Sequence, residues 1–535
     1  MSKLVTSIKS LKVQKERERK IQELIEDCIE YANEIVGSGD YFEAGEFLYT
    51  AAEFLEEFNN NHSNKLYKFS IKLWENQIAT YKLQARLHEI AEIYLRIADI
   101  YAEKLRDSKL ERKNIINSID FLKQESKLLK EFDETRKFAQ NYQNIAELYL
   151  KINDFKRAIK YYDSAIAISK EYQYYDLSSY SYQQISFCYE ELDEISKSKN
   201  ILQEAIEYFN RLYGSIEGEN DNLIIAQICQ VLKKLYKSVE DEDQFIHYSK
   251  KEAGAYINLA ENLEKTKENF QKIARFYRGA ALCYQEINNN LIESASCFVL
   301  AGNYLEKIEE YEDAATNFFN AAVTFKELNN LEMAYKHYVK AGDNYWKTEN
   351  VNDSTESYLY AYDIAIEGQL EFNKYGIFNQ IVRGLNIIAK EGLKNKEFYT
   401  AATLILESIK FYQQLDTAKD FLLNEMINNL YKYYYKAANL KKIGYSHIVQ
   451  SYVLAAISLI LNGKINKAQK IISEIESKGH TVKKYKEMVQ LIIRWVSQGK
   501  QVEFQDFPYG IQRIIQGSEE IMYLLRLFKG FKIAT

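Results

Sequence analysis

A chain of 535 residues with a single proline, Pro508, where the average usage of ~5% predicts roughly 27, has almost nowhere to put long loops. Its 47% hydrophobic and 27% charged residues fit a soluble folded protein, and no stretch approaches the ~18 consecutive apolar residues of a membrane-spanning helix. The net charge of −6 hides a split: residues 430–535 hold 17 basic and 7 acidic side chains, a net of +10, against −16 for residues 1–429. A basic segment on an acidic chain suits an acidic partner or an anionic surface, and an unevenly charged solvated surface is the alternative.

Residues 1–36 carry one helical pattern (Ile8, Leu11, Ile21, Leu24, Ile25, Cys28, Ile29, Ala32), and Gly37-Ser38-Gly39 ends it. No apolar core follows the basic residues at the start, so a secretory signal is not expected and a cytoplasmic location is. Ala44, Leu48 and Ala51 open a repeated stripe that Phe47, Phe54 and Phe58 extend. Asparagine clusters at 59–61, 288–290 and 329–330 mark turns, because Asn tolerates left-handed backbone and caps helices. The polar, glycine-bearing stretch 213–222 is a candidate hinge.

The pattern is clearest at Ala274/Arg278/Ala281, Ser294/Phe298/Ala301, Ala314/Phe318/Ala321, Ala334/Tyr338/Ala341 and Ser354/Tyr358/Ala361, five sets spaced 20 residues apart. Positions i, i+4 and i+7 lie on one side of a helix, so each helix has one stripe to bury. Small residues at the ends of the stripe admit a neighbouring backbone, and the bulky one between fills the gap. Arg278 breaks the pattern, and Tyr277 or Leu282 is expected to pack in its place. A unit of ~16 helical residues and a ~4-residue turn cannot bury its stripe alone and must stack on its neighbours. The fold class expected is all-α: an antiparallel helical-repeat solenoid ending in a helical bundle.

Ala146, Tyr149, Asn153, Phe155, Ala158, Tyr162 and Ala165, copied 40 residues on by Ser186, Tyr189, Asp193, Ile195, Ser198, Leu202 and Ala205, resemble the tetratricopeptide repeat. The 40-residue two-helix period exceeds the usual 34 of that family. Residues 297–325, with Cys297-Phe298-Val299-Leu300-Ala301-Gly302-Asn303, and the C-terminal run from Ala455 through Leu461-Asn462-Gly463-Lys464 to Tyr523-Leu524-Leu525-Arg526-Leu527, are similar to the α-SNAP family. That resemblance implies a non-enzymatic adaptor that presents a coiled-coil, SNARE-like bundle to an AAA ATPase in membrane trafficking. The chain departs from the family in having no Phe/Leu pair at Gly37-Ser38-Gly39-Asp40 and in ending Lys532-Ile533-Ala534-Thr535 rather than in an acidic tail closed by Leu. The other reading is a general tetratricopeptide scaffold that binds peptides or assembles a complex. The segments expected are an N-terminal helix at 1–36, repeat halves at 37–213 and 223–447, and a basic bundle at 448–535.

No phosphate-binding G-x-x-x-x-G-K-[ST] occurs, and the six histidines stand apart without a H-E-x-x-H or a nearby Cys. Five dispersed cysteines fit reduced, buried thiols. Neither cofactor nor metal nor catalysis is expected. The 44 tyrosines are expected in cores and at helix ends, and the acidic balance argues against nucleic acid as a partner. The candidate partner-binding residues are Lys464, Lys467, Lys470, Lys483, Lys484 and Lys486, six lysines at the ends of a helical hairpin, suited to an acidic protein face or, peripherally, an anionic membrane.

Overall fold

The computed structural model describes residues 14–56, 60–218, 221–414, 420–440, 445–475 and 480–528. Among these residues there are 24 α-helices and no strand, and the chain divides into two compact units, Met1–Glu252 and Ala253–Thr535. The first unit holds α1 (Gln14–Gly37), α2 (Tyr41–Glu56), α3 (Asn60–Leu83), α4 (Leu87–Asp99), a π-helical turn (Ile100–Lys104), α5 (Ser108–Glu131), α6 (Thr135–Lys151), α7 (Phe155–Glu171), α8 (Tyr175–Glu191), α9 (Ile195–Ile216) and α10 (Asn222–Ser238). α11 (Glu242–Asn262) gives Phe245 and Tyr248 to the core of the first unit and Ala253 and Ala260 to that of the second. The second unit continues with α12 (Lys267–Gln285), α13 (Leu291–Glu306), α14 (Tyr311–Glu327), α15 (Leu331–Lys347), α16 (Val351–Glu367), α17 (Lys374–Lys394), α18 (Phe398–Tyr412), α19 (Asp420–Ala438), α20 (Tyr445–Leu461), α21 (Ile465–Glu474), α22 (His480–Ser497), α23 (Tyr509–Gln516) and α24 (Glu519–Arg526).

The 20-residue period resolves into a 17-residue helix and a three-residue turn, as in α6 to α8 and α14 to α16, not the 16 and 4 expected. At the end of α6 the C-cap is Ile152, Asn153 is left-handed at φ 58°, and Asp154 caps α7 through a bond from the Arg157 N–H. The Asp154 N–H returns to the Tyr149 carbonyl at 2.8 Å, the long bond of a Schellman motif. Left-handed residues follow the period at Asp133, Asn153, Gln173 and Asp193, and again at Glu309, Asn329, Glu349 and Gln369. Asparagine is thus one occupant among several: of twelve non-glycine residues at φ 49–66° only Asn153 and Asn329 are Asn, and Asn288–Asn290 forms a 3-10 turn.

The stripes face inward as the spacing predicts. From Ser294 to Ala361 every stripe residue of α13 to α16 is buried, and at the Arg278 position Tyr277 is 7% exposed while Leu282 is 47% exposed, so Tyr277 fills the gap. The serines at stripe starts add a bond: Ser294 Oγ donates to the Ala281 carbonyl and Ser354 Oγ to the Gly342 carbonyl, each at 2.8 Å. In the first unit Ala44, Leu48 and Ala51 are buried and Phe47 is half-buried, but Phe54 is exposed, because it lies off the stripe; Phe58 is outside the described residues. So are Ile8 and Leu11 of the first pattern, whereas Ile21, Leu24, Ile25, Cys28 and Ala32 are buried on α1. The contacts divide the chain at Glu252/Ala253. Tyr213, Tyr236 and Tyr248 pack together at 5.6 and 5.5 Å and tie α9, α10 and α11 into one core.

The C-terminal bundle is built around α20. Val449, Val453, Leu454, Ala455, Ala456, Ile457, Leu459 and Ile460 are all buried, and a helix apolar on every face must be surrounded. α19, α21, α22 and α24 do so. α24 is pinned to α18 by Lys410–Glu519 at 3.0 Å and by Tyr523 Oη donating to Gln413 at 2.6 Å.

Candidate functional site

The hairpin of α21 and α22 distributes the six lysines over different surroundings. Ala468, Ile471 and Ile472 turn inward, which leaves Lys467 and Lys470 exposed on α21. Lys464, at the N-cap, donates to Asn428 Oδ1 of α19 at 2.8 Å and borders a shallow depression with Gly463, Asn466 and Lys467. Lys483 is exposed, whereas the Lys484 side chain lies across Gly510 of α23. Lys486 faces an open groove of about 680 Å³ between the two helices, with Arg494, Gln490 and Ser497 on its own helix and Gln469 and Ser473 opposite. Ile472 and Ile493 form the floor, and among the described residues no acidic side chain lines the groove. Arg494, exposed and one turn from the end of α22, was not among the sequence candidates; its place eight residues after Lys486 on a helix was the available signal.

A second site lies in the repeats of the second unit. Arg275 and Arg278 of α12, Leu305 of α13, and Asp313 and Asn317 of α14 enclose, with Gln271 and Ala274, a cavity of about 130 Å³. Asn317 is buried; its Nδ2 donates to the Asp313 carbonyl at 2.7 Å, and its Oδ1 has no donor. Both arginines are exposed, line the cavity and make no side-chain hydrogen bond or ion pair among the described residues. Sequence reasoning registered Arg278 only as a break in the stripe. An arginine where the pattern asks for a packing residue was the signal of a different use.

Several tyrosines act as cross-helix ties through a hydroxyl that meets a carboxylate, with the ring buried at Tyr67 and Tyr358 and exposed at Tyr180. Tyr67 donates to Glu56 at 2.6 Å, Tyr180 to Glu147 at 2.8 Å and Tyr358 to Asp343 at 2.5 Å. All five cysteines are buried and none is joined in a disulfide among the described residues, and burial pushes the thiols of Cys188 and Cys229 up to about 12, away from nucleophilic use. Among the described residues no three His, Cys, Asp or Glu are placed to hold a metal ion, and no helix is long and apolar enough to cross a membrane.

No protein-family model matches the sequence, and no curated protein does. Solved structures similar in part include BtubC (BKLC) from P. vanneervenii, 15% identical over 52% of this chain and 95% of that one, with a TM-score of 0.21. The apo form of RapI is 16% identical over 57% and 99%, with a TM-score of 0.22. Human IFIT1, solved as a dimer with PPP-AAAA, is 13% identical over 84% and 92%, with a TM-score of 0.19. The chain's own geometry carries the fold assignment: all-α, antiparallel helical repeats of tetratricopeptide-like spacing with a C-terminal helical bundle.

Proposed function

We propose that this chain is a non-enzymatic scaffold that holds protein partners by polypeptide segments laid against its helical repeats. The observation that carries this reading is Asn317 Oδ1, buried without a donor beside two unpaired arginines. An unsatisfied buried acceptor costs ~1–3 kcal/mol, and a bound peptide N–H would relieve it. A peptide carbonyl or carboxylate would in turn accept from Arg275 and Arg278, so the cavity asks for donor and acceptor side by side, as a backbone offers them.

A finer reading, an adaptor that presents a helical-bundle partner to an AAA ATPase in membrane trafficking, is supported by the likeness of residues 297–325 and of the run from Ala455 to Leu527 to α-SNAP and by the basic groove of α21 and α22. Affinity capture from the native cell with the unmodified chain, with Arg275→Glu/Arg278→Glu and with Lys464→Glu/Lys467→Glu/Lys470→Glu tests both. Partners lost from the arginine variant at unchanged thermal unfolding support the scaffold reading. A coiled-coil protein lost only from the lysine variant supports the adaptor. Identical captured sets from all three proteins would overturn both assignments.

A further inference from the structure

The first unit contains a cavity that neither site above uses. α4 passes into a π-helical turn at Ile100–Lys104, closed by the Leu105 N–H to the Ile100 carbonyl at 2.9 Å and the Asp107 N–H to the Tyr101 carbonyl at 2.8 Å. Such a turn inserts a residue into the helix and is retained where its geometry is used. Here it aligns Arg96, Asp99, Ile100, Glu103 and Lys104 along one face, opposite Tyr49 of α2 and Trp74 of α3, and the enclosed volume is about 150 Å³. A cavity of that size takes one benzene-sized group. Tyr49 and Trp74 stack at 6.2 Å and 27°, giving it an aromatic wall.

The charges around it are unbalanced. Arg96 is ion-paired with Glu46, Lys104 lies 2.9 Å from Glu56 and 3.9 Å from Glu53, and Asp99 lies 2.5 Å from Lys151. Glu103 is exposed and makes no hydrogen bond or ion pair among the described residues. On the lining Asp99 and Glu103 stand with Arg96 and Lys104; with the ion-pair partners Glu46, Glu53, Glu56 and Lys151 behind them, five carboxylates meet three cations, a net of −2, and both cations on the lining are already committed. The Tyr49 phenol registers the same field: burial first, then the Glu53 hydrogen bond and the carboxylates of Glu53, Glu103 and Glu56, push it up to about 12.

We propose that this cavity receives one arginine side chain of a partner polypeptide, its guanidinium flat against Tyr49 and its N–H fork on the Glu103 carboxylate. A guanidinium is planar, weakly hydrated and bidentate, so it meets an aromatic wall and a lone carboxylate together, where the compact, strongly hydrated lysine ammonium meets only one of them. The chain has three tryptophans, and Trp346→Phe with Trp495→Phe leaves Trp74 as the reporter.

Titration of that protein with Gly-Gly-Arg-Gly-Gly should change Trp74 emission saturably. Gly-Gly-Lys-Gly-Gly should bind several-fold more weakly, and the peptide with citrulline, the neutral isostere, should not bind. Glu103→Gln should weaken the arginine peptide about ten-fold at unchanged thermal unfolding, the scale of one charge-assisted contact. Free arginine is run alongside: binding as tight as the peptide's would assign the cavity to the small molecule and overturn the polypeptide partner. Calorimetric titration of the unmutated chain gives the same answer if the tryptophan substitutions perturb folding. Equal titration by arginine and citrulline peptides, no saturable signal in either measurement, or an unaffected Glu103→Gln would overturn the assignment.

Discussion

Phe318 rests on the bare backbone of Gly302, where a Cβ would come within 2.7 Å of its ring. The pair joins α13 to α14 at the point where the stripe needs the two helices closest. Gly302→Ala should therefore destabilise the second unit by roughly 1–3 kcal/mol, the cost of overpacking a full site. Gly254→Ala, on α11 with nothing within 4 Å of its added methyl, should be neutral or raise stability by up to about 1 kcal/mol through helix propensity. Urea midpoints of the two variants measure the contrast, and equal shifts would show the stripe to be misplaced. Ala301→Trp and Ala321→Trp, both fully buried, should cost more still, while Glu327→Ala, exposed at the end of α14, should cost little.

The turn chemistry gives a second test. Glu349 holds φ 59° between α15 and α16, a conformation that carries a steric cost for any residue with a Cβ and none for glycine. Glu349→Gly should raise stability by a few tenths to about 1 kcal/mol, while the β-branched Glu349→Val should lower it by more. Thermal unfolding of both variants decides it; a loss with glycine would mean that the Glu349 side chain contributes something the backbone does not require.

The helical repeat was legible because its signal is local. Small residues at i and i+7 with a bulky one at i+4 dictate burial whatever lies opposite, and every such residue from Ser294 to Ala361 is buried. The turns were only half legible, since the left-handed position accepts Asp, Glu, Gln, Lys and Ala as well as Asn once the Schellman bonds and flanking helices over-determine it. Sites were least legible. The cavity at Arg275, Arg278 and Asn317 draws on three helices, and the one at Tyr49, Trp74 and Glu103 depends on a π-helical turn that no spacing announces.

His337 predicts a pH dependence. Its ring is 3% exposed on α15, near-parallel to Phe318 at 6.0 Å and Phe325 at 5.5 Å, and neither nitrogen has a hydrogen-bond partner. Burial first, then the nearby charges of Lys336 and Lys340, push its pKa down to about 4. With the folded value below the ordinary 6.5, the unfolded chain takes up the proton first as pH falls, so stability contributed at neutral pH is lost between about 6.5 and 4 and the loss levels off below that. At about 1.4 kcal/mol per pH unit the whole change is roughly 3 kcal/mol. His337→Phe should remove it. Urea unfolding at pH 7 and pH 4.5, followed by Trp346 on the same helix with the other tryptophans replaced by Phe, should show a larger loss for the histidine protein than for the variant. Parallel losses would place the acid sensitivity elsewhere.

The basic hairpin supplies the last prediction. Lys464, Lys467 and Lys470 are exposed on α21 and its N-cap, and the Lys464 ammonium donates to a neutral amide, Asn428 Oδ1, rather than to a carboxylate. Their charges are therefore available to a partner, in a segment whose net of +10 opposes the −16 of the rest. Exposed charges of this kind act chiefly on encounter rate and salt dependence, since each isolated surface ion pair is worth at most about 1 kcal/mol. Reversing all three to Glu should leave the folded state intact, weaken binding to an acidic partner by about an order of magnitude or more at low salt, and flatten the slope of log affinity against log salt. If the ligand is an anionic membrane, the same variant should lose roughly 1 kcal/mol per lysine on vesicles containing phosphatidylserine and show no change on neutral ones. Salt titrations of the captured partner and vesicle sedimentation, run side by side on both proteins, separate the two ligands. An unchanged salt slope together with unchanged sedimentation would reduce these lysines to solvated surface and move the binding site to the repeats, where Arg275 and Arg278 line a cavity.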